Sequence, residues 1–378
     1  MKIREFAVEM WMNRYELQCE LNLAETCVES LTVAELLAMA GRADTILSEL
    51  LPIKLTYGAI EGSDRLRGLI AGMSRNAKPE NVLVTHGAIG ANALVHQTLV
   101  EPGDRVISVL PTYQQHYSIP ESYGADVQIL RLREENGFLP DLDELRTLAT
   151  PGARLIVINN PNNPTGSVMD RAMLKEIVAI ARDCGAWLLC DEVYRGTGQD
   201  GDGMTVSVFD LYERGISTGS MSKSFSLAGL RLGWIVAPVD LVHPITVHRD
   251  YNTISVGMID DHLAAIALEA RDAILARSRA ISRTNLNILS DWVEREPRIS
   301  WVKPRGGTTA MLKYDLPIAS EVLCLDLLQR TGVMLTPGSA FDMEGYVRIG
   351  YCNNEIVLRE GLERMSDYLA RAPDPADG

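Results

Sequence analysis

The chain has 378 residues, of which 46% are hydrophobic and 23% charged, the balance of a soluble globular enzyme with length for one large α/β domain and a smaller one. A formal net charge of −14 disfavours general binding to nucleic acid or to an anionic membrane. It does not exclude acidic substrates, because local arginines reverse the field inside a cleft. No apolar run approaches about 18 residues, so no transmembrane helix is expected. The start, Met1 to Phe6, lacks the apolar core of a secretory signal. Cys19, Cys27, Cys184, Cys190, Cys324 and Cys352 form no C-x-x-C pair and read as reduced thiols of a cytoplasmic protein. His86, His96, His116, His243, His248 and His262 show no metal-ligand spacing and read as ordinary helix and loop residues, so no metal is expected.

Residues 1 to about 45 read as irregular, with a short extended piece at Leu21 to Thr26. Thr32-Val33-Ala34-Glu35 suits the start of a helix running to Met39. From about residue 80 strands and helices alternate with turn signals between them. Strands are predicted at Asn81 to Val84, Arg105 to Val109, Asp126 to Leu130, Leu155 to Ile158 and Trp187 to Cys190. Helices are predicted at Gly90 to Leu99, Gln115 to Tyr123, Leu142 to Leu148 and Arg171 to Arg182. Short apolar strands between helices imply a mostly parallel sheet covered on both faces, with ligand sites at the strands' carboxyl ends. Past about residue 280 the rhythm changes to short strands at Ala310 to Tyr314, Val333 to Leu335 and Tyr346 to Ile349, with helices at Glu321 to Arg330 and Glu355 to Leu369. The expected organisation is a large domain over 46–280, a smaller α+β domain from 1–45 with 281–370, and a Pro/Asp-rich disordered tail over 371–378.

The residues that carry chemistry follow the strands. Val84-Thr85-His86-Gly87-Ala88-Ile89-Gly90 is strand, small-residue turn and helix start, where free amides form an anion site. Pro111-Thr112-Tyr113 offers an aromatic face that would stack on a ring. Asn159 to Gly166 is a polar turn in which two prolines hold Asn163, whose amide would donate to a phenolate or carboxylate oxygen. Asp191 ends a buried strand with Tyr194 three residues on, and such a carboxylate needs a cationic or hydrogen-bonding partner. Ser217 to Trp234 sets Lys223 among small hydroxyl residues, with Arg231 eight positions later. Desolvation lowers an amine's pKa toward nucleophilic use, and hydroxyls with an arginine receive a phosphate dianion. An activated amine beside a phosphate clamp is what a Schiff-base cofactor with a phosphate handle requires.

These segments resemble the class I/II aminotransferases, the aspartate-aminotransferase-like enzymes of fold type I that use pyridoxal 5'-phosphate. The resemblance rests on Tyr57 to Arg67, Thr85 to Ala91, Asn160 to Gly166, Asp191 to Tyr194, Ser220 to Arg231 and Arg348, in that order. It implies a large domain with a mostly parallel seven-stranded sheet flanked by helices, plus a smaller α+β domain. It also implies that Lys223 binds the cofactor covalently and shuttles a proton, with Asp191 on the pyridine nitrogen. Asn163 and Tyr194 would hydrogen-bond the ring oxygen and Tyr113 would stack. Ser220, Ser222, Arg231 and the Gly87, Ala88 and Ile89 turn would hold the phosphate. Tyr57 would reach the phosphate of a neighbouring subunit, implying a homodimer with shared sites, and Arg348 would bind the substrate α-carboxylate beside Ala24 and Asn163.

Where many relatives have a Gly-rich stretch, this chain has Leu23-Ala24-Glu25-Thr26-Cys27, so side-chain preference does not carry over. His248 to Thr253 resembles the other segment that family members send across the dimer interface; there Arg249 would suit an acidic substrate side chain, and Asp250 or Glu25 a basic one, and the sequence does not choose. The expected activity is transfer of an amino group between an α-amino acid and a 2-oxo acid in the cytoplasm. A lyase or amino-acid oxidase on the same fold is the alternative, and a non-catalytic ligand-sensing module is a third, disfavoured by the complete polar set.

Overall fold

Seven strands, buried except for the half-exposed edge strand Asp126–Arg131, form the central sheet of the computed structural model, which describes residues 2–371. Across the sheet the order is Val82–Thr85, Gly233–Val236, Gly215–Ser220, Trp187–Asp191, Leu155–Asn159, Arg105–Leu110, Asp126–Arg131. All neighbours are parallel except Gly233–Val236, which runs antiparallel to both of its partners. The apolar runs form strands buried on both faces because helices cover each side. Register sets the carboxyl ends side by side: Asn159 pairs with Asp191, and Asp191 with Thr218. The polar residues therefore converge along one edge of the sheet, where a doubly wound sheet places ligands.

The flanking helices follow local rules. Arg171–Cys184 buries Leu174, Ile177, Val178, Ala181 and Cys184, spaced along one face, and the Asp170 side chain accepts from the Met173 amide at 2.8 Å. Thr32 and Glu35 form the expected reciprocal cap of the helix Val33–Met39.

The first 45 residues are not irregular. Ala7–Tyr15 is a helix that buries Val8 and Trp11, with Met12 and Tyr15 packed beside them. The Trp11 indole donates to the Leu335 carbonyl at 2.8 Å. The strand Leu21–Asn22 pairs in parallel with Val333–Met334, and the Gly350 amide donates to the Leu23 carbonyl at 2.7 Å. Gly350 has no alternative at this crossing, since a Cβ there would stand 1.7 Å from the Glu25 carbonyl oxygen. Thr308 Oγ1 donates to the Thr26 carbonyl at 2.6 Å. One apolar core joins Trp11, Leu21, Leu23 and Val28 to residues between Leu286 and Leu369. The long helix Arg271–Val293 runs straight through residue 280. The tail expected over 371–378 lies outside the described residues except for Arg371, which closes the helix Glu355–Arg371.

Candidate active site

A cavity of about 340 Å³ opens at the carboxyl edge of the sheet. Lys223, Asp191, Tyr194, Asn163, Tyr113, Ala24, Ala88, Ile89, Ser220, Ser222, Arg231 and Arg348 all line it. Gly87 adjoins it through Arg231: a Cβ on Gly87, at φ +66°, would stand 3.2 Å from Arg231 Nη2. Tyr57 is 74% exposed and does not line the pocket of its own chain.

Asp191 is 5% exposed at the end of its strand. Its Oδ2 accepts from Asn92 Nδ2 at 2.9 Å and lies 3.4 Å from His116 Nε2, while Oδ1 accepts from the Val193 amide at 3.1 Å. Asn92 is held in turn by Thr218 Oγ1, which donates to its Oδ1 at 2.7 Å. His116, expected to be an ordinary helix residue, is instead fully buried behind this carboxylate. Only the folded register brings it there, since 75 residues separate the two positions in the chain.

The Lys223 amine donates to Thr26 Oγ1 at 2.6 Å and lies 3.5 Å from Cys27 Sγ. Burial acts to lower its pKa, as the sequence suggests, but Cys27, Tyr194 and Glu25 outweigh burial and raise it. The expected depression is therefore corrected; because the Cys27 thiol and the Tyr194 phenol are themselves raised, the Glu25 carboxylate is the charge that faces this amine near neutral pH. Burial would raise the Glu25 carboxyl, yet Lys223 and the Cys27 and Thr26 donors bring it below its ordinary value. Burial pushes the Cys27 thiol up to about 11. Tyr194 is 2% exposed, and burial raises its phenol against the pull of Lys223 and Arg348.

Arg348 is 2% exposed on the strand Tyr346–Gly350. Nη1 donates to Asn163 Oδ1 at 3.3 Å; Nη2 donates to the Ala24 carbonyl at 3.0 Å and to Thr336 Oγ1 at 3.1 Å. Its Nε has no partner, and the guanidinium carbon stands 5.1 Å from the Phe341 ring centroid. Asn163 is fixed by its amide, which donates to Asn159 Oδ1 at 2.6 Å. Tyr113 presents its ring to the cavity and donates its hydroxyl to Glu9 Oε1 at 2.6 Å.

The turn into the helix Gly87–Leu99 carries no acidic residue and no side-chain cap, so its first amides are open to an anion. Ser220 and Ser222 sit beside it, with the Ser222 amide donating to Ser220 Oγ at 3.2 Å. A Cβ on Gly233 would stand 2.3 Å from the Gly87 carbonyl carbon, so glycine there lets the turn close onto the lysine loop. An anion cradle, a buried carboxylate and a buried amine fit pyridoxal phosphate by the chemistry of the donor set.

The chain matches the family described as aminotransferase class I and II over residues 52–365. The chain belongs to that family. This class I/II aminotransferase has the fold of the pyridoxal-phosphate enzymes of fold type I, and pyridoxal phosphate is its cofactor. Its reaction class is transfer of an amino group between an α-amino acid and a 2-oxo acid. A solved structure of a PLP-dependent aminotransferase from Streptococcus suis 89-1591 is 43% identical, covers 99% of this chain and 100% of that one, and superposes with a TM-score of 0.95. Capreomycidine synthase of Streptomyces vinaceus is 33% identical over 363 residues, 96% of this chain and 93% of that protein. The PLP-dependent cyclase OrfR is 27% identical, with a TM-score of 0.90 and 98% of each chain covered.

Two groups of residues in and around the pocket escaped the sequence reading. Asn92 lines the cavity and His116 stands behind Asp191, and both are polar residues inside helices with no local pattern to mark them. Glu9, Met12, Asn13 and Glu16 come from the amino-terminal helix and the turn after it; the apolar spacing Val8, Trp11, Met12 and Tyr15 is the signal that would have revealed that helix. Arg249, a candidate for reading an acidic side chain, is 1% exposed and donates from Nη1 to the Val84 carbonyl at 2.8 Å and from Nη2 to the Ile60 carbonyl. It ties backbone segments together, and neither it nor Asp250 lines the cavity of its own chain.

Proposed function

We propose that this cavity is the aminotransferase active site, with Lys223 as covalent tether and proton carrier, Asp191 as partner of the ring nitrogen and Arg348 as receptor of the substrate α-carboxylate. The observation that supports this best is the meeting, in one cavity, of a buried amine, a buried carboxylate and a buried arginine with an unpartnered Nε. Bound pyridoxal phosphate supplies an electron sink for the charge left when the substrate loses its α-proton. Ser220, Ser222, Arg231 and the Gly87, Ala88 and Ile89 turn hold its phosphate, and Tyr113 stacks on its ring. Asn163 and Tyr194 donate toward the ring oxygen, and Asn163 also braces Arg348. Asn92 keeps the Asp191 carboxylate aimed, with His116 packed behind it, and its charge would favour a proton on the ring nitrogen. Arg348 binds the α-carboxylate as a fork, which orients the α-hydrogen toward Lys223. The lysine then moves that proton, and Thr26 Oγ1, which accepts from Nζ at 2.6 Å, aims the amine.

A homodimer with Tyr57 serving the partner's phosphate completes this reading. Leu47, Leu51, Leu55, Tyr57 and Tyr251 are all at least 66% exposed, an apolar display suited to a second copy. Six free thiols suit a reducing cytoplasm. The division into 46–280 and 1–45 with 281–370 is supported by the core that residues near Trp11 to Val28 share with the carboxyl-terminal part.

A second reading, in which the same covalent chemistry leads to elimination or ring closure, is favoured by the likeness to a synthase and a cyclase. The test is borohydride reduction of the holoenzyme with peptide mapping, followed by amino acids given with and without a 2-oxo acid. Label on Lys223 and acceptor-dependent product are expected. Label elsewhere overturns the site, and product without an acceptor replaces transamination by the second reading.

A further inference from the structure

We infer that the preferred amino-acid substrate carries a positively charged side chain, a guanidino or amino group, received by Glu9, Glu16 and Glu25. The inference rests on the active-site reading above and names the substrate class of that site. Cations lining the cavity are Lys223, Arg231 and Arg348; carboxylates are Glu9, Glu16, Glu25 and Asp191. Every cation has a task in that reading, and Asp191 has one too. The three glutamates have none.

Their placement follows the fold. Val8, Glu9, Met12, Asn13 and Glu16 are one face of the amino-terminal helix and its following turn, and that face lines the cavity. Glu25 lies on the loop after Leu21–Asn22. Glu9 is positioned by the Tyr113 hydroxyl at 2.6 Å, and Glu25 by the amides of Thr26 and Cys27 at 2.7 and 2.8 Å. Glu9 and Glu25 both act on Arg348, and both act on Glu16, whose carboxyl is raised first by burial and then by these two neighbours. The carboxylates thus extend outward from the buried arginine that would hold the substrate's α-carboxylate. Arg348, 2% exposed and with Nε lacking a partner, independently marks that end as a receptor for an anion. A substrate anchored there directs its side chain toward three negative charges.

Glu25 is now offset by Lys223. Among the described residues, the arginines lining the cavity are Arg231 and Arg348, both with tasks in that reading, and Arg249 is buried on backbone carbonyls, so an acidic side chain gains no further arginine there. The same field disfavours 2-oxoglutarate as acceptor relative to pyruvate, whose side chain is uncharged.

The holoenzyme is given arginine, ornithine and lysine against citrulline, norleucine and aspartate, and the cofactor absorbance change is followed for each donor alone. In parallel, calorimetry measures binding of 5-guanidinopentanoate and of hexanoate, which lack the α-amino group. A cationic donor is expected to exceed citrulline by roughly tenfold or more in kcat/KM, as befits a charge-assisted contact. The guanidino acid is expected to bind tighter than hexanoate by a similar factor, and Glu9→Gln and Glu16→Gln to shrink both ratios. Citrulline or aspartate equalling the cationic donors, or hexanoate binding as tightly as the guanidino acid, overturns the inference. Silence with every amino acid would count against the aminotransferase reading, while the calorimetry still decides the charge preference.

Discussion

Replacing Arg348 by lysine keeps the positive charge and removes the fork. In the native protein Nη1 and Nη2 hold Asn163, Ala24 and Thr336, which leaves one Nη1 hydrogen and the unpartnered Nε of a residue only 2% exposed. A buried donor without a partner costs about 1–3 kcal/mol, a cost relieved when a carboxylate arrives. Lysine supplies a point charge and forfeits at least one charge-assisted hydrogen bond, about 1.5–3 kcal/mol. At about 1.4 kcal/mol per factor of ten, kcat/KM should fall roughly ten- to a hundredfold. Amino acid and 2-oxo acid both present the α-carboxylate, so the loss should be the same for both substrates in steady-state assays of each half-reaction. The cofactor's absorbance, which reports the lysine end of the cavity, should not change. A lysine variant within threefold of the native kcat/KM for both substrates refutes the role given to Arg348.

Glu192 offers a pH test. It is fully buried, accepting from the Val208 amide at 2.9 Å, and burial pushes its carboxyl from 4.5 up to about 7. Because the folded value is raised, the native protein binds a proton between those values that the unfolded chain has released, so stability is full below about 4.5 and falls as pH rises to 7. The full fall amounts to about 3 kcal/mol. Glu192→Gln should flatten the dependence of Tm on pH across that window, and a parallel, merely offset curve would refute the assignment. Gly350→Ala should lower Tm by several degrees and raise KM for the amino acid, because its Cβ meets the Glu25 carbonyl, a backbone atom that can only move with its segment. Native Tm and KM in that variant would show the segment is not held as described.

Much of the central sheet was legible because strands such as Leu155–Asn159 and Trp187–Asp191 are apolar runs closed by polar turns, a local pattern. Lys223, Asp191 and Asn163 were legible for the same reason: each follows a strand in a short, specific string. The helix Ala7–Tyr15 was not, since nine residues make too few turns for a clear periodic signal. Its Glu9 acquires meaning only through tertiary contact with Tyr113, more than a hundred positions away. Arg249 misled for the opposite reason. A charged residue at a helix end reads as solvated, and nothing local announces that the Val84 and Ile60 carbonyls will take its donors. Lys223 was read from its own loop alone, whereas the groups that reverse the effect of its burial come from residues 25–27 and Tyr194.

The amino-terminal strand is stitched to Val333–Met334 and to Gly350, and the Trp11 indole is bonded to Leu335. Glu25 and Arg348 therefore share one packed unit, while Glu9 is tied as well to Tyr113 beside the big sheet, which carries the lysine and the anion cradle. Exchanging the first thirty or so residues would consequently retune which amine donor is admitted and, through Thr26, the setting of the reacting amine, while Asp191 and the anion cradle stay where they are.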